Sequence, residues 1–570
     1  MPKFFKNHFS SNIILAIFIA IILLALFFRF WDLGQADLIG DDGHYAFRAY
    51  GWLDYLGGNQ QTAPIQWFGR IPWWGYLSFH DHPPMGFVFQ FVSFWLFGPS
   101  AMAARFLITL LCFFSVIIFY FLIKKFKDEP TALLAAFLYA ISTYAVWISR
   151  QSLNDGLVLG FEICFLYFFI NYLSTGKKHF LPLAASFIGL ALLSKYTAAF
   201  LLPAALAYLL IYRRDVLKTK EFQFAFISMF FILTPIIIYN FNVLISRGHF
   251  DATLSHMIGL RPADFEIIKN RVVNFNLVNN AKSEIVSVYL FSSFSYLILK
   301  LFGLIYLLLK FIRRKCVEFE KIIVFILLFV ISMFLFMGPA PRYFSIVEPF
   351  LIISLSIFIF DLFRYLKNNN FIIISYCLGL FIAAIFIFEM FFSINSNLFV
   401  NPIGQANLHF AAQRQYNAGL NQLDDFITAK IYPDAAKYHI FKYADLTLYP
   451  DQLKNKSVII YDDRISWYAT IWIFTRHLIY EQQPIFSLNQ IFQIWKNPDD
   501  SVANLKEFGV KDFWFITAVS EKTFDTNMLN QAKYDNMIKE IESNFKKVNI
   551  EYIEILDRSG NLAFKIYHFE

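Results

Sequence analysis

The chain has 570 residues, of which 58% are hydrophobic, 20% aromatic and only 16% charged, with a mean hydropathy of +0.50. Its net charge of +7 comes from loop Lys and Arg, and no basic patch interleaved with aromatics suggests a nucleic-acid partner. The four cysteines, Cys112, Cys164, Cys316 and Cys377, are isolated from one another, so neither a disulfide framework nor a cysteine metal motif is present.

Repeated apolar runs of about 17–25 residues define a polytopic α-helical membrane protein. The first run, Ile13 to Phe30, is too long for the core of a signal peptide and lacks a small-residue cleavage site. Lys3 and Lys6 precede it, so the positive-inside rule puts the N-terminus inside. The segment 85–97 is apolar but short and reads as an interfacial or re-entrant helix. Further spans are expected over 101–123, 131–147, 156–173, 181–194, 197–212, 222–245, 284–311, 321–337, 343–365 and 371–393, about eleven with the first. Every loop that falls inside in this topology is basic: Lys124, Lys125 and Lys127; Lys177 and Lys178; Arg213, Arg214 and Lys218; Arg313, Arg314 and Lys315; Arg364 and Lys367.

An odd number of spans puts the C-terminus outside. Residues 1–393 are expected to form the membrane-embedded domain, including an outer loop over 31–84. Residues 394–570 turn polar and read as an extracytoplasmic α/β domain, with strand-like runs at Val458–Tyr461 and Phe513–Ile516 and a helix near Tyr534–Phe545. No Gly-rich phosphate loop precedes a helix there.

The polar residues then sort by side. Asp41 and Asp42 stand outside, about ten residues after the first span, and ionised groups beside a bilayer are functional candidates by default. The simpler reading is that they open a helix from Gly43 to Leu56, where Asp suits the N-terminus. His44, Tyr45, His80, Asp81 and His82 share that loop. Arg150 and Asp155, Lys195, His256 and Arg261, and Arg342 with Tyr343 fall in further outer loops. Each alone is explained by a cap or a snorkelling side chain. Together they gather acids and bases at one boundary, which suits a reaction between a lipid-borne phosphate and a water-accessible acceptor. For His80-Asp81-His82, one reading is a divalent cation held by His80 and Asp81 with His256. The other is phosphate contact by His82. No other cofactor is expected.

Five motifs in order resemble the GT-C membrane glycosyltransferases, in the group of protein O-mannosyltransferases and lipid A aminoarabinose transferases. They are Asp41-Asp42-Gly43-His44-Tyr45, Asp81-His82-Pro83-Pro84, Arg150 to Asp155, Leu190 to Lys195, and Pro341-Arg342-Tyr343-Phe344 followed by Pro349. The resemblance covers about residues 10–365. It implies a GT-C fold, a polyprenyl-phosphate sugar donor, and inverting transfer to a protein, lipid or polysaccharide acceptor outside the membrane; separately, the abundance of Phe, Ile, Lys and Asn suggests an AT-rich prokaryotic genome, hence a prokaryotic plasma membrane. The resemblance implies Asp41, with Asp42 and Asp155, as the catalytic acids. Asp41 would be the base; Asp155 would orient the acceptor, a cation or a basic partner. His44, Tyr45, His82, Lys195, Arg261, Arg342 and Tyr343 would bind substrate. Asp42 stands where Glu is usual, His44 where some members have Arg, and His82 where some have Lys.

Two other classes compete. A transporter or flippase would show internal repeats and polar residues near the bilayer midplane, and neither is apparent in the sequence. A non-catalytic assembly subunit would use the C-terminal domain for binding. An oligosaccharyltransferase ranks lower because no Trp-Trp-Asp motif follows the last span.

Overall fold

A computed structural model describes residues 11–55, 60–269, 277–337, 342–410, 417–494, 507–524, 531–547 and 549–569. Lys3, Lys6 and Pro341 lie outside the described residues. The chain divides into two compact units: residues 1–33, 77–89 and 105–411 in the first, and 34–76, 90–104 and 412–570 in the second. The boundary thus differs from a simple cut at residue 393, because most of the loop after the first span groups with the C-terminal residues.

In chain order the helices are α1 (Ser11–Phe30), α2 (Asp41–Gly51), α3 (Pro64–Trp67), α4 (Met85–Phe97), α5 (Ala101–Phe126), α6 (Glu129–Ile141), α7 (Thr143–Ser149), α8 (Asn154–Thr175) and α9 (Phe180–Ser194). They continue as α10 (Leu201–Tyr212), α11 (Lys220–Arg247), α12 (Ala252–Met257), α13 (Glu266–Lys269), α14 (Leu277–Leu290), α15 (Phe294–Ile312), α16 (Glu318–Met337), α17 (Glu348–Asn368) and α18 (Ile372–Asn397).

Among the described residues, eight helices are long and apolar enough to cross a membrane, or nine if the bent pair α6–α7 is counted as one span. The protein is therefore a multi-pass integral membrane protein. Three differences from the expected spans have physical causes. The run 131–147 is two helices bent by 58°, because Ser142 leaves the helical region and caps α7 with its own hydroxyl. The run 284–311 is divided into α14 and α15 at 291–293. The runs 181–194 and 197–212 form shorter apolar helices. A 15-residue helix rises about 22 Å, less than the ~30 Å of hydrocarbon. The chain turns at Lys195, whose extended backbone ends α9.

The second unit carries a five-stranded sheet in the order β2-β1-β3-β5-β4. Its strands are β1 (Ser457–Tyr461), β2 (Ile485–Ser487), β3 (Asp512–Ala518), β4 (Tyr552–Leu556) and β5 (Leu562–Phe569). β2, β1 and β3 run parallel; β5 is antiparallel to both β3 and β4. The helix Gln531–Lys547 lays Ile538, Ile541 and Phe545 against Phe513, Phe515 and Tyr567. That amphipathic packing supplies the apolar face that a small α/β domain needs. The unit also takes in α2. Tyr480 donates its hydroxyl to the Phe47 carbonyl at 2.9 Å, and Gly51 approaches the Tyr480 ring where any side chain would collide.

Candidate functional site

In the first unit, the junctions that the sequence places outside bring several expected residues together. α8 begins at Asn154-Asp155 and α9 ends at Lys195, so the two side chains face each other at the same end of adjacent helices. Lys195 Nζ donates to Asp155 Oδ1 at 2.7 Å and to Oδ2 at 2.8 Å, with both residues buried. The Tyr343 ring lies 4.0 Å from the same ammonium. Arg342 reaches that ring too, its guanidinium carbon 5.2 Å from the centroid. Two cations near one aromatic ring, one of them bridged to a carboxylate, make a compact cationic site of the kind that recognises phosphate oxygens. Of the three partners expected for Asp155, the structure provides the basic one.

Arg150, which ends α7, is occupied otherwise. Its guanidinium donates to the carbonyls of Phe28, Arg29, Trp31 and Asp32, at 2.9 to 3.3 Å. It caps the C-terminus of α1, where orphan carbonyls and the helix dipole favour a cation.

The His80-Asp81-His82 segment is fastened through its backbone. Ala252 N–H donates to the His80 carbonyl at 2.6 Å, and the Thr253 hydroxyl to the Asp81 carbonyl at 2.7 Å. His82 Nδ1 lies 3.1 Å from Asp81 Oδ1, and His80 Nε2 lies 4.0 Å from Oδ2. Among the described residues, no three His, Cys, Asp or Glu side chains converge in a way that could hold a metal ion. His256 sits half-buried on α12, and Arg261 is exposed beyond it.

Sequence reasoning missed Asp251. Its buried carboxylate accepts hydrogen bonds from the Tyr196 hydroxyl at 2.5 Å, the Asn240 amide at 2.9 Å and the Leu254 N–H at 2.8 Å. Burial pushes its pKa above the usual carboxylate value, against these three donors, and the Asp81 charge adds to the rise. Tyr196 follows Lys195 directly, so this network braces the turn that carries the lysine. The signal was present: Asn240 interrupts an apolar run, and Asp251 has N-cap spacing before α12. Nearby, Asp264 binds Arg247 and His249; burial alone would raise its pKa, but these bonds bring it below the usual value.

The expectation that ionisable residues are confined to one rim is corrected by the spans themselves. Lys300, Glu348 and Glu389 are all buried within the helical unit. Glu162, eight residues into α8, is also buried, and neither of its oxygens has a hydrogen-bond partner among the described residues.

In the second unit, Asp41 and Asp42 are the first two residues of α2, preceded by Gly40 at φ 62°. They occupy the helix-start position that suits their charge. The helix ends earlier than expected, because Trp52 takes a left-handed conformation. Asp41 is half-buried and Asp42 fully buried. The His44 ring packs edge-on against Trp467 at 5.0 Å and, tilted, against Tyr468 at 5.8 Å; Tyr45 is buried. The segment before α2 is held by Asp37, which accepts from the N–H groups of Ala418 at 2.5 Å and Asn421 at 2.9 Å.

Comparisons with known proteins agree with this architecture. Residues 81–239 match the model of the family described as dolichyl-phosphate-mannose-protein mannosyltransferase. That segment contains Asp81, His82, Asp155 and Lys195. No curated protein matches the chain. In fold, the chain is similar to the Archaeoglobus fulgidus oligosaccharyltransferase in its apo form, with a TM-score of 0.51 at 13% identity over 90% of this chain and 70% of that one. It is equally similar to ArnT from Cupriavidus metallidurans bound to undecaprenyl phosphate, with a TM-score of 0.51 at 11% identity over 98% of both chains. The fold is thus like that of these two solved structures, and the family match covers residues 81–239 of the chain.

Proposed function

We propose that the protein is an inverting glycosyltransferase that moves a sugar from a polyprenyl-phosphate donor to an acceptor on the outer side of a prokaryotic plasma membrane. The observation that carries this reading is the Lys195–Asp155 pair, at the ends of α8 and α9 within the family-matched segment, set against Tyr343 and Arg342. The ArnT structure of similar fold holds undecaprenyl phosphate, which supports a lipid-phosphate donor here. Lys195 and Arg342 stabilise the charge that develops on the departing phosphate, and Asp155 and the Tyr343 ring hold the lysine in place. A phosphate leaving group needs little protonation, so a single base suffices.

Asp41 is assigned as that base, on its acidic motif. It takes the proton from the acceptor nucleophile as this attacks the anomeric carbon, and the bond to the phosphate oxygen breaks. Asp42 supports α2. His82 contributes to phosphate contact, and a divalent cation near Asp81 remains a role to be tested by chelation. The acceptor is a protein, lipid or polysaccharide. Asp41→Asn is expected to keep its thermal midpoint and lose about 10²–10⁴ in turnover. Near-normal transfer by the purified variant would remove Asp41 from the base role.

A further inference from the structure

Within the first unit, a cavity of about 220 Å³ opens between α8, α9, α10 and α11, lined entirely by apolar side chains. It exists because Ala184, Ala185, Ala205 and Ala225 face one another where larger residues would close the gap, leaving Phe169 and Met229 on its walls. A void of this size forfeits dispersion contacts along its whole lining, and no polar group is present to hold water. Hydrocarbon is the occupant that its lining fits.

The location says which hydrocarbon. Lys195 and Asp155 mark one end of α8 and α9, and the cavity lies towards the other. Phe169 is six residues, or about 9 Å, from the end of α8. At that end the four helices converge: Arg213 donates to the Leu173 carbonyl at 3.3 Å, and Lys178 pairs with Glu221 at 3.6 Å. The loops there carry Lys177, Lys178, Arg213, Arg214, Lys218 and Lys220. Arg213 is engaged with Asp215 and Glu318. Lys177, Arg214, Lys218 and Lys220 are exposed. An apolar slot beneath a cationic rim matches a molecule with a hydrocarbon chain and an anionic head.

We propose that this cavity binds one acyl chain of an anionic glycerophospholipid, with its phosphate at the basic loops between α8 and α9 and between α10 and α11. The site is separate from the Lys195 end and does not depend on the reaction assigned there.

The test is native mass spectrometry of the full chain, purified in mild detergent and exposed to phosphatidylglycerol or phosphatidylcholine of matched chains. The site predicts that phosphatidylglycerol stays bound under conditions that strip phosphatidylcholine. Replacing the exposed Lys177, Lys218 and Lys220 by Gln should weaken phosphatidylglycerol retention about tenfold or more. Ala225→Phe, which fills the slot, should remove it. Equal retention of the two lipids, retention of neither, or a triple-Gln variant that holds phosphatidylglycerol like the parent would each overturn the proposal.

Discussion

Among the described residues of the helical unit, two lysine–carboxylate pairs have both partners buried, and they are built differently. Lys300 donates to Ser292 at 2.7 Å and to both oxygens of Glu348 at 3.1 and 3.0 Å, so each of its three N–H groups has a protein partner. Glu348 also accepts from the Ser142 hydroxyl at 2.6 Å. Beside it, Glu389 accepts from the N–H and hydroxyl of Thr143 and from the Ser293 N–H. These bonds tie the bend between α6 and α7 to the break before α15, satisfying backbone groups that leave the helical pattern within the spans. Lys195, in contrast, spends two N–H groups on Asp155 and faces an aromatic ring shared with a second cation. The first arrangement is saturated and holds helices together. The second gathers cations at the end of a helix too short to cross the hydrocarbon. Burial and ion pairing therefore do not mark a functional lysine; what surrounds the pair does.

This contrast can be broken most directly at Lys195. Lys195→Met is expected to lower transfer by about 10²–10³, the scale of losing one preorganised charge at a developing anion. Lys195→Met with Asp155→Asn should recover the thermal midpoint and stay inactive. Recovery of activity in that double variant would reduce Lys195 to a structural residue.

Lys300→Met tests the other side. It leaves Glu348 buried without its cation, at a cost of about 3–5 kcal/mol. Adding Glu348→Gln should return both folding and transfer, measured as thermal midpoint and donor turnover. If the double variant folds but does not turn over, the two pairs are not different in kind.

A smaller effect is expected for Glu389→Gln, which replaces one acceptor oxygen by a donor facing the Ser293 or Thr143 N–H. The loss should be about 1–3 kcal/mol of stability with turnover nearly unchanged.

The smallest is at Asp251. Its folded pKa is raised above 3.8 by burial, so the protonated form is favoured by the fold. Its contribution to stability is full below the unfolded pKa and is lost as pH rises through the folded value. Asp251→Asn does not titrate. The thermal midpoint of the parent should therefore rise relative to this variant as pH falls from 7 towards about 4. A pH-independent difference would contradict the raised pKa.

Much of the fold was legible because hydropathy over a span-length window is a strong signal. α1, α5, α8, α11, α16 and α18 stand close to their expected limits, and β1 and β3 lie where apolar strand-like runs were seen. The same averaging hid the rest. One Glu or Lys in some twenty apolar residues barely moves a window, so Glu162, Lys300 and Glu389 were passed over. The bend at Ser142 is fixed by Glu348 and Glu389, hundreds of residues away in sequence, and no local pattern predicts it. At the candidate site, Asp155, Lys195, Arg342 and Tyr343 were found from motif order. Their pairing, the capping role of Arg150 and the brace at Asp251 required coordinates, because each depends on which helix ends meet.

The central claim is that the Lys195 end serves a lipid-phosphate sugar donor. It is tested most directly by incubating the purified protein with a panel of polyprenyl-phosphate sugars, with and without divalent ions, and following donor consumption. Free polyprenyl phosphate should be released from at least one donor by the parent and by the Lys300→Met/Glu348→Gln variant, and from none by Lys195→Met. No turnover of any donor by the parent, or equal turnover with Lys195→Met, would contradict it.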